Sequence, residues 1–331
     1  MKSLLKRIFK KIVVTANLSN FLWRYLPNGV YVFNYHRIGD KYQCEFDRNV
    51  FSCSAEAFEQ QIIEIKSTFT VVNQLQLIEM LANNNLDDDK YALITIDDGY
   101  IDCIETILPI LKKHHVHASF FITTDLISNN TIPWWDEISF ILRNSVGHQY
   151  KIPLIDQTYD LEEENIDWQI KHIITQAKSH KELLIHQVLA DLRQTFPQAC
   201  QKLAKSQGNL FMNWADVMTL IDSGMEIGSH TISHRILSQL SPDEQTVELE
   251  KSKHLIELET QKEINAIVYP VGVKDSYTPE TQAIAQKAGY ILGFNNIPGL
   301  NRKAINHFDL NRFSIDDERV KEMKLKVLFN L

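Results

Sequence analysis

Two short segments of this chain carry residues suited to chemistry. GMEIGSHTISHR (224–235) holds His230 and His234, and YALITIDDGY (91–100) carries the adjacent Asp97 and Asp98. Four positions make about one helical turn, so a helix would aim both imidazoles at one spot. Two neutral imidazoles and one carboxylate form a three-point face for a divalent ion and leave positions open for water and substrate. Neighbouring residues at a strand end point to opposite faces. One aspartate can therefore bind metal while the other reaches a bound water. Metal-assisted hydrolysis needs that division: an ion to polarise a carbonyl and acidify water, and a base to take the proton. Each pair alone is a weak signal. Paired surface imidazoles are common, and adjacent acids usually mark a solvated turn, as 87–89 and Asp316–Asp317 read in this chain.

The elements around these residues support the convergence. Apolar runs rich in Val, Ile, Phe and Tyr predict strands at 29–35, 91–96, 117–123, 225–230, 265–270 and 290–295. Amphipathic stretches predict helices at 55–67, 74–84, 101–114, 214–223, 242–259 and 278–288, with Ser54 and Ser241 as N-caps and Pro242 in a first turn. Strands alternating with helices imply an α/β fold with a parallel sheet, open or closed into a barrel. In such folds active residues gather at the carboxyl ends of strands. Asp97, Asp98, His230, His36 and Pro270 all follow or close predicted strands. Residues 136–210 break the rhythm and read as helix without a strand signal, a helical insertion serving as a lid or partner surface.

Composition narrows the partners. The 331 residues are 44% hydrophobic and 23% charged, which is globular, and the net charge of -8 disfavours nucleic acid. The four cysteines form no CxxC pair, which fits reduced thiols in a cytoplasmic protein. Residues 1–27 differ: Lys2, Lys6, Arg7, Lys10 and Lys11 alternate with Leu4, Leu5, Ile8, Phe9 and Ile12. This amphipathic segment suits an anionic membrane surface, or equally a first helix packed on the domain. No apolar stretch in it approaches the ~20 residues that span a bilayer.

The motifs resemble those of the polysaccharide deacetylases, the NodB-homology or carbohydrate esterase family 4 enzymes. TIDDGY (95–100) is similar to their first motif and SHTISH (229–234) to their second. ILPILKKHHVHASFFITT, WADVMTLIDSGMEIGSHTISH and AIVYPVG are similar to segments of the same family, in the same order, between about residues 30 and 316. The resemblance implies a catalytic domain at 28–331 folded as a deformed (β/α) barrel of about seven parallel strands, interrupted by the insertion. It implies hydrolysis of N-acetyl groups on a sugar, with Asp98, His230 and His234 as metal ligands and Asp97 as general base. Zn2+ is the commonest ion, with Co2+ and Ni2+ as alternatives. The oxyanion would be held by the metal and a backbone N–H, that of Val271 after Pro270. The family's usual C-terminal histidine motif is missing, and His307 lacks a preceding apolar strand. His36 does follow one, in VYVFNYHRI, as in the circularly shifted poly-N-acetylglucosamine deacetylase branch, which makes it the expected acid. Val268 stands where many members carry the arginine that orients the base, and Arg312 is the candidate substitute. Of the adjacent Trp134 and Trp135, one is expected to wall the sugar site, Trp135 being the candidate, and the other to anchor the insertion.

The sequence therefore predicts a metal-dependent N-deacetylase of a cell-envelope glycan or lipid-linked glycan, cytoplasmic and peripheral at the inner membrane face. Two alternatives remain at this point: an amidohydrolase of a non-sugar amide, and a non-catalytic carbohydrate-binding protein on the same scaffold.

Overall fold

A computed structural model describes residues 13–15, 18–153, 157–179, 182–205 and 210–331. Most of the basic segment, residues 1–12 and 16–17, lies outside the described residues. Its last turn of helix, Ser19–Arg24, packs on the domain: Trp23 is buried, and its Nε1–H donates to Thr68 Oγ1 at 2.9 Å.

The apolar runs form one curled parallel sheet. In chain order its strands are β1 (Gly29–Tyr35), β2 (Thr70–Val71), β3 (Lys90–Asp98), β4 (Ser119–Ile122), β5 (Glu226–Ser229), β6 (Ala266–Val268), β7 (Leu292–Phe294) and β8 (Phe313–Ser314). Seven of them run across the sheet in the order β7-β6-β5-β4-β3-β1-β8, and β2 pairs the first residues of β3. The edges nearly meet. Leu310 bridges Phe294 on one side, and three residues later Phe313 pairs Phe33 on the other. The result is the deformed barrel expected from the sequence.

Both sheet faces are covered, so the strands are continuous apolar runs. The two-residue period still sorts their side chains. Val30 and Val32 of β1, Leu93 of β3, Phe121 of β4, and Ala266 and Val268 of β6 fill the barrel interior. Tyr31, Phe33, Tyr35, Ile94 and Ile96 pack outward under helices. The same parity carries Asn34, His36, Thr95, Asp97 and His230 to the interior at the carboxyl ends.

The covering helices are α1 (Ala55–Thr68), α2 (Gln74–Ala82), α3 (Leu108–His114), α4 (Trp134–Arg143), α5 (Ile166–Ser179), α6 (Glu182–Thr195), α7 (Pro197–Lys205), α8 (Trp214–Asp222), α9 (Pro242–Thr260), α10 (Pro279–Lys287) and α11 (Val320–Leu328). Ser54 caps α1 by accepting from Ala57 N–H, and Ser241 and Glu244 form a capping box on α9. The helix expected at 101–114 begins instead as a π-helical turn, Cys103–Ile107. The four cysteines are unpaired.

The insertion differs from the all-helical expectation. Between α4 and α5 it holds an antiparallel hairpin, Gln149–Lys151 paired with Thr158–Asp160. Only Tyr150 and Tyr159 of these strands are buried, so polar residues hide the period from the sequence. Ile138, Ile170, Val188 and Leu192 join them in a separate core.

Gly228 marks a tight point of the barrel wall. A Cβ there would overlap the ring of Phe121, which is fully buried. Gly228→Ala is expected to cost about 1–3 kcal/mol by overpacking. Thermal unfolding checks this; an unchanged midpoint would show that the ring has room to move.

Candidate active site

Asp97 and Asp98 end β3, with Asp98 at φ 76° and Gly99 at φ 89° turning the chain away. His230 immediately follows β5. Its Nδ1 lies 2.9 Å from Val268 O, so Nδ1–H donates and the Nε2 lone pair is left free. His234 reaches the same spot by a different route from the one expected. Residues 230–236 are not helical; the chain doubles back with Thr231 at φ 67° and His234 at φ 58°. Glu248 of α9 fixes this loop by accepting from the backbone N–H of Ile232 (2.9 Å) and Ser233 (3.1 Å). A loop built this way aims the two imidazoles as a helical turn would have.

Asp98 Oδ1 lies 3.5 Å from His230 Nε2 and 3.6 Å from His234 Nε2. It is buried without a hydrogen-bond partner. Burial lowers the pKa of both histidines, that of His234 well below its ordinary value, so neither ring carries a charge at neutral pH. Three electron-pair donors thus face one another within 4.8 Å. A cation satisfies all three, and the donor set fits a divalent metal.

Asp97 points the other way, into the barrel. Arg312 clamps it with Nη1–Oδ1 at 2.9 Å and Nη2–Oδ2 at 2.8 Å. Arg312 also donates to Asn295 O (2.7 Å) and Asn34 Oδ1 (2.9 Å), so the guanidinium is held rigidly. Burial alone would raise the Asp97 pKa, but Arg312, His230 and His36 hold it below the usual carboxylate value. His36 Nε2 stands 3.9 Å from Asp97 Oδ2. Ser52 Oγ fixes its backbone by accepting from His36 N–H at 3.0 Å. Burial lowers the His36 pKa to about 4, against the opposing pull of Asp97.

These groups open onto one cleft of about 360 Å³. Trp135 lines it, with its ring centroid 4.7 Å from that of His234. Its Nε1–H donates to Tyr100 Oη at 2.8 Å, and Tyr100 donates onward to Asp136 Oδ2 at 2.7 Å. Trp135 is only 4% exposed, so it is an edge of the cleft more than an open sugar platform. Trp134 packs against the insertion core. Val271 lines the cleft at φ 64°, and Gly272 N–H donates across it to Pro270 O at 2.7 Å. Pro270 is buried behind this turn and His307 lies elsewhere; neither is among the lining residues.

A family model described as polysaccharide deacetylase matches residues 84–292. The chain belongs to the polysaccharide deacetylase family. YxkH of Bacillus subtilis (strain 168), a protein assigned to the same class, is 25% identical over 236 residues, 71% of this chain. The match takes in 55% of that relative, so the chain spans about half its length. The Streptococcus pyogenes deacetylase PplD, solved in complex with acetate, superposes with a TM-score of 0.59 at 19% identity, covering 91% of this chain and 99% of PplD. IcaB from Ammonifex degensii gives 0.56 at 16% identity, covering 91% and 97%. At these identities the structures speak for the fold.

Val268 points into the barrel, and Arg312 beside β8 brings its guanidinium to Asp97. Four further residues of the site are not evident from the sequence motifs: Asn34 and Asn295, which hold Arg312, and Lys171 and Lys178, which line the cleft from α5. The lysines carry a readable signal, since Lys171, Ile174, Thr175 and Lys178 share one helix face.

Burial, reinforced by the neighbouring Asp97 charge, pushes the Asp98 pKa to about 8. Below that pH the carboxyl holds a proton that an incoming ion must displace; above it there is none to displace. The neutral histidines do not compete. Loading Zn2+ at pH 6, where an ion-bound water still keeps its protons, is therefore expected to release about one proton per ion. Calorimetry in buffers of different ionisation heat measures this; release near zero at that pH would mean that Asp98 is ionised before the ion arrives.

Proposed function

We propose that this chain is a metal-dependent N-deacetylase, releasing acetate and a free amine from an N-acetylated sugar of a cell-envelope or lipid-linked glycan. One observation carries the reading: the unpartnered Asp98 Oδ1 between two neutral imidazoles, beside a second carboxylate clamped by arginine. Asp98, His230 and His234 would hold the ion, Zn2+ by donor chemistry, with Co2+ or Ni2+ able to substitute. When bound, it supplies Lewis acidity toward the acetamide carbonyl and toward water.

The remaining roles fall to the chain's own groups. Asp97, kept ionised by Arg312, takes a proton from the attacking water as the new C–O bond forms. The C–N bond then breaks, and the departing nitrogen needs a proton. His36 is neutral at pH 7, so it must receive that proton before giving it up. Asp97 is adjacent at 3.9 Å, close enough to hand on the proton it takes from water. The backbone N–H of Val271 is the proposed partner of the oxyanion, at the turn that lines the cleft. Trp135 borders the sugar.

Acetate release from polymeric and lipid-linked N-acetylhexosamines, with and without added Zn2+ or Co2+, tests the reading. Asp97→Asn is expected to abolish turnover. His36→Ala is expected to lower kcat by about 10²–10⁴-fold, the usual contribution of a positioned acid or base. No acetate from any such sugar would transfer the site to a non-sugar amide, and sugar binding without turnover would make the chain a binding protein.

We further propose that the enzyme is cytoplasmic and touches the inner face of an anionic membrane through residues 1–27. The basic residues there support this, as do the exposed Phe21 on the helix Ser19–Arg24 and Tyr25 just after it. No described helix is long and apolar enough to cross a membrane. Removing residues 1–17 is expected to shift the protein from the membrane fraction to the soluble one. Unchanged fractionation would refute a contact made through the basic residues of this segment.

A further inference from the structure

The insertion builds one wall of the cleft, and that wall is basic. α5 turns Lys171, Ile174, Thr175 and Lys178 toward the site. Seven positions of helix set the two lysine backbones ~10 Å apart. Lys171 is exposed at the mouth, and Lys178 sits half-buried nearer the histidines. The Lys178 ammonium lies 5.7 Å from the Trp134 ring centroid.

Among the described residues, neither lysine has a carboxylate of its own. The acidic groups that share the cleft are engaged elsewhere. Asp97 is clamped by Arg312. Asp316 pairs with Lys326 at 2.7 Å. Asp47 Oδ1 accepts from Asn49 N–H (3.0 Å) and Asn49 Nδ2 (2.8 Å). Asp98 faces the two histidines. Among the described residues, no ion pair within 4.0 Å involves either ammonium. Burial lowers the Lys178 pKa, while Asp47 and Asp98 pull it back up from a distance. A half-buried ammonium that has a ring face beside it but no described carboxylate within 4.0 Å is costly to keep unless something outside the chain completes it.

We propose that α5 is a specificity element that recognises an oxyanion, phosphoryl or carboxylate, on the acetylated sugar, with Lys178 as the inner contact and Lys171 as the outer. A neutral glycan would leave both ammonium groups without a partner, whereas a charged one gains charge-assisted hydrogen bonds. The sugar in this inference rests on the deacetylase reading, but the charge preference is measurable by binding alone.

The test uses the full chain loaded with Zn2+ and three sugars: N-acetylglucosamine, N-acetylglucosamine 1-phosphate and N-acetylmuramic acid. Calorimetric Kd and acetate release are both recorded. In the wild type at least one charged sugar is expected to bind about tenfold or more tightly than the neutral one, and its identity separates phosphoryl from carboxylate recognition. Lys171→Gln with Lys178→Gln is expected to bring the ratio to within about twofold, because only the side-chain charges are lost. Lys171→Arg with Lys178→Arg keeps most of the preference and controls for folding. Equal binding of all three sugars by the wild type would overturn the inference. So would a preference that survives the double glutamine variant, since the anion would then be held by the ion. A lysine-dependent preference without acetate release would leave this inference standing and remove the deacetylase reading.

Discussion

Two carboxylates that follow one another in sequence and are both buried cannot share one fate. At 2% exposure each, Asp97 and Asp98 would push both pKa values up if they were alone. Arg312 resolves the conflict by clamping only one of them. Asp97 is held ionised, and its charge helps to drive Asp98 to about 8. The two side chains are chemically identical, and their environments set them apart as a candidate base and a candidate ligand. Everything else at the site depends on this separation. Without Arg312, burial would push the Asp97 carboxyl up as well, and without the Asp97 charge Asp98 would be pushed up less.

The barrel makes the separation possible through its strand period. β3 turns Leu93, Thr95 and Asp97 inward. β1 turns Asn34 inward beside them, where its Oδ1 accepts from both Thr95 Oγ1 and Arg312. Arg312 arrives from the opposite edge because residues 310–314 stitch β7 to β1. The near-closure of the sheet is thus also what delivers the guanidinium. Val268 in the interior of β6 leaves the space with its short side chain, while its backbone carbonyl accepts from His230 Nδ1–H and so sets a candidate ligand's tautomer.

Parallel strands buried on both faces read as uninterrupted Val, Ile and Phe, and residues just after such runs fall at one end of the barrel. The amino-acid order alone therefore places Asp97, Asp98, His230 and His36 together. Other features leave no such trace. β2 and β8 have two residues each, too few to show a period. The hairpin at 149–160 alternates buried tyrosines with Gln, Lys, Thr and Asp, which reads as loop or helix surface. Arg312 can be suspected from its place after an apolar position, but its partnership with Asp97 spans 215 residues of sequence, and no local pattern encodes it. The α5 lysines are readable as a helix face, yet the sequence does not say which face meets the cleft.

His230 and His234 converge as their spacing predicts, but not by the helix that the spacing suggests, and the difference has consequences. A helix would have held the pair with regular backbone hydrogen bonds. Here Thr231 and His234 sit at left-handed φ values that cost β-branched and bulky residues energy, and Asp98 and Val271 do the same across the cleft. Four such residues around one site would relax if the surroundings allowed it. Glu248 prevents that for the histidine loop by accepting two of its backbone N–H groups. The Gly272–Pro270 bond closes the turn at Val271. The strained backbone therefore pre-positions the donors at the expense of local stability, and the surrounding helices supply what holds it. The loop lets His230 stay with the strand while His234 turns its ring nearly perpendicular, at 84°, with the two Nε2 atoms 3.5 and 3.6 Å from one carboxylate oxygen.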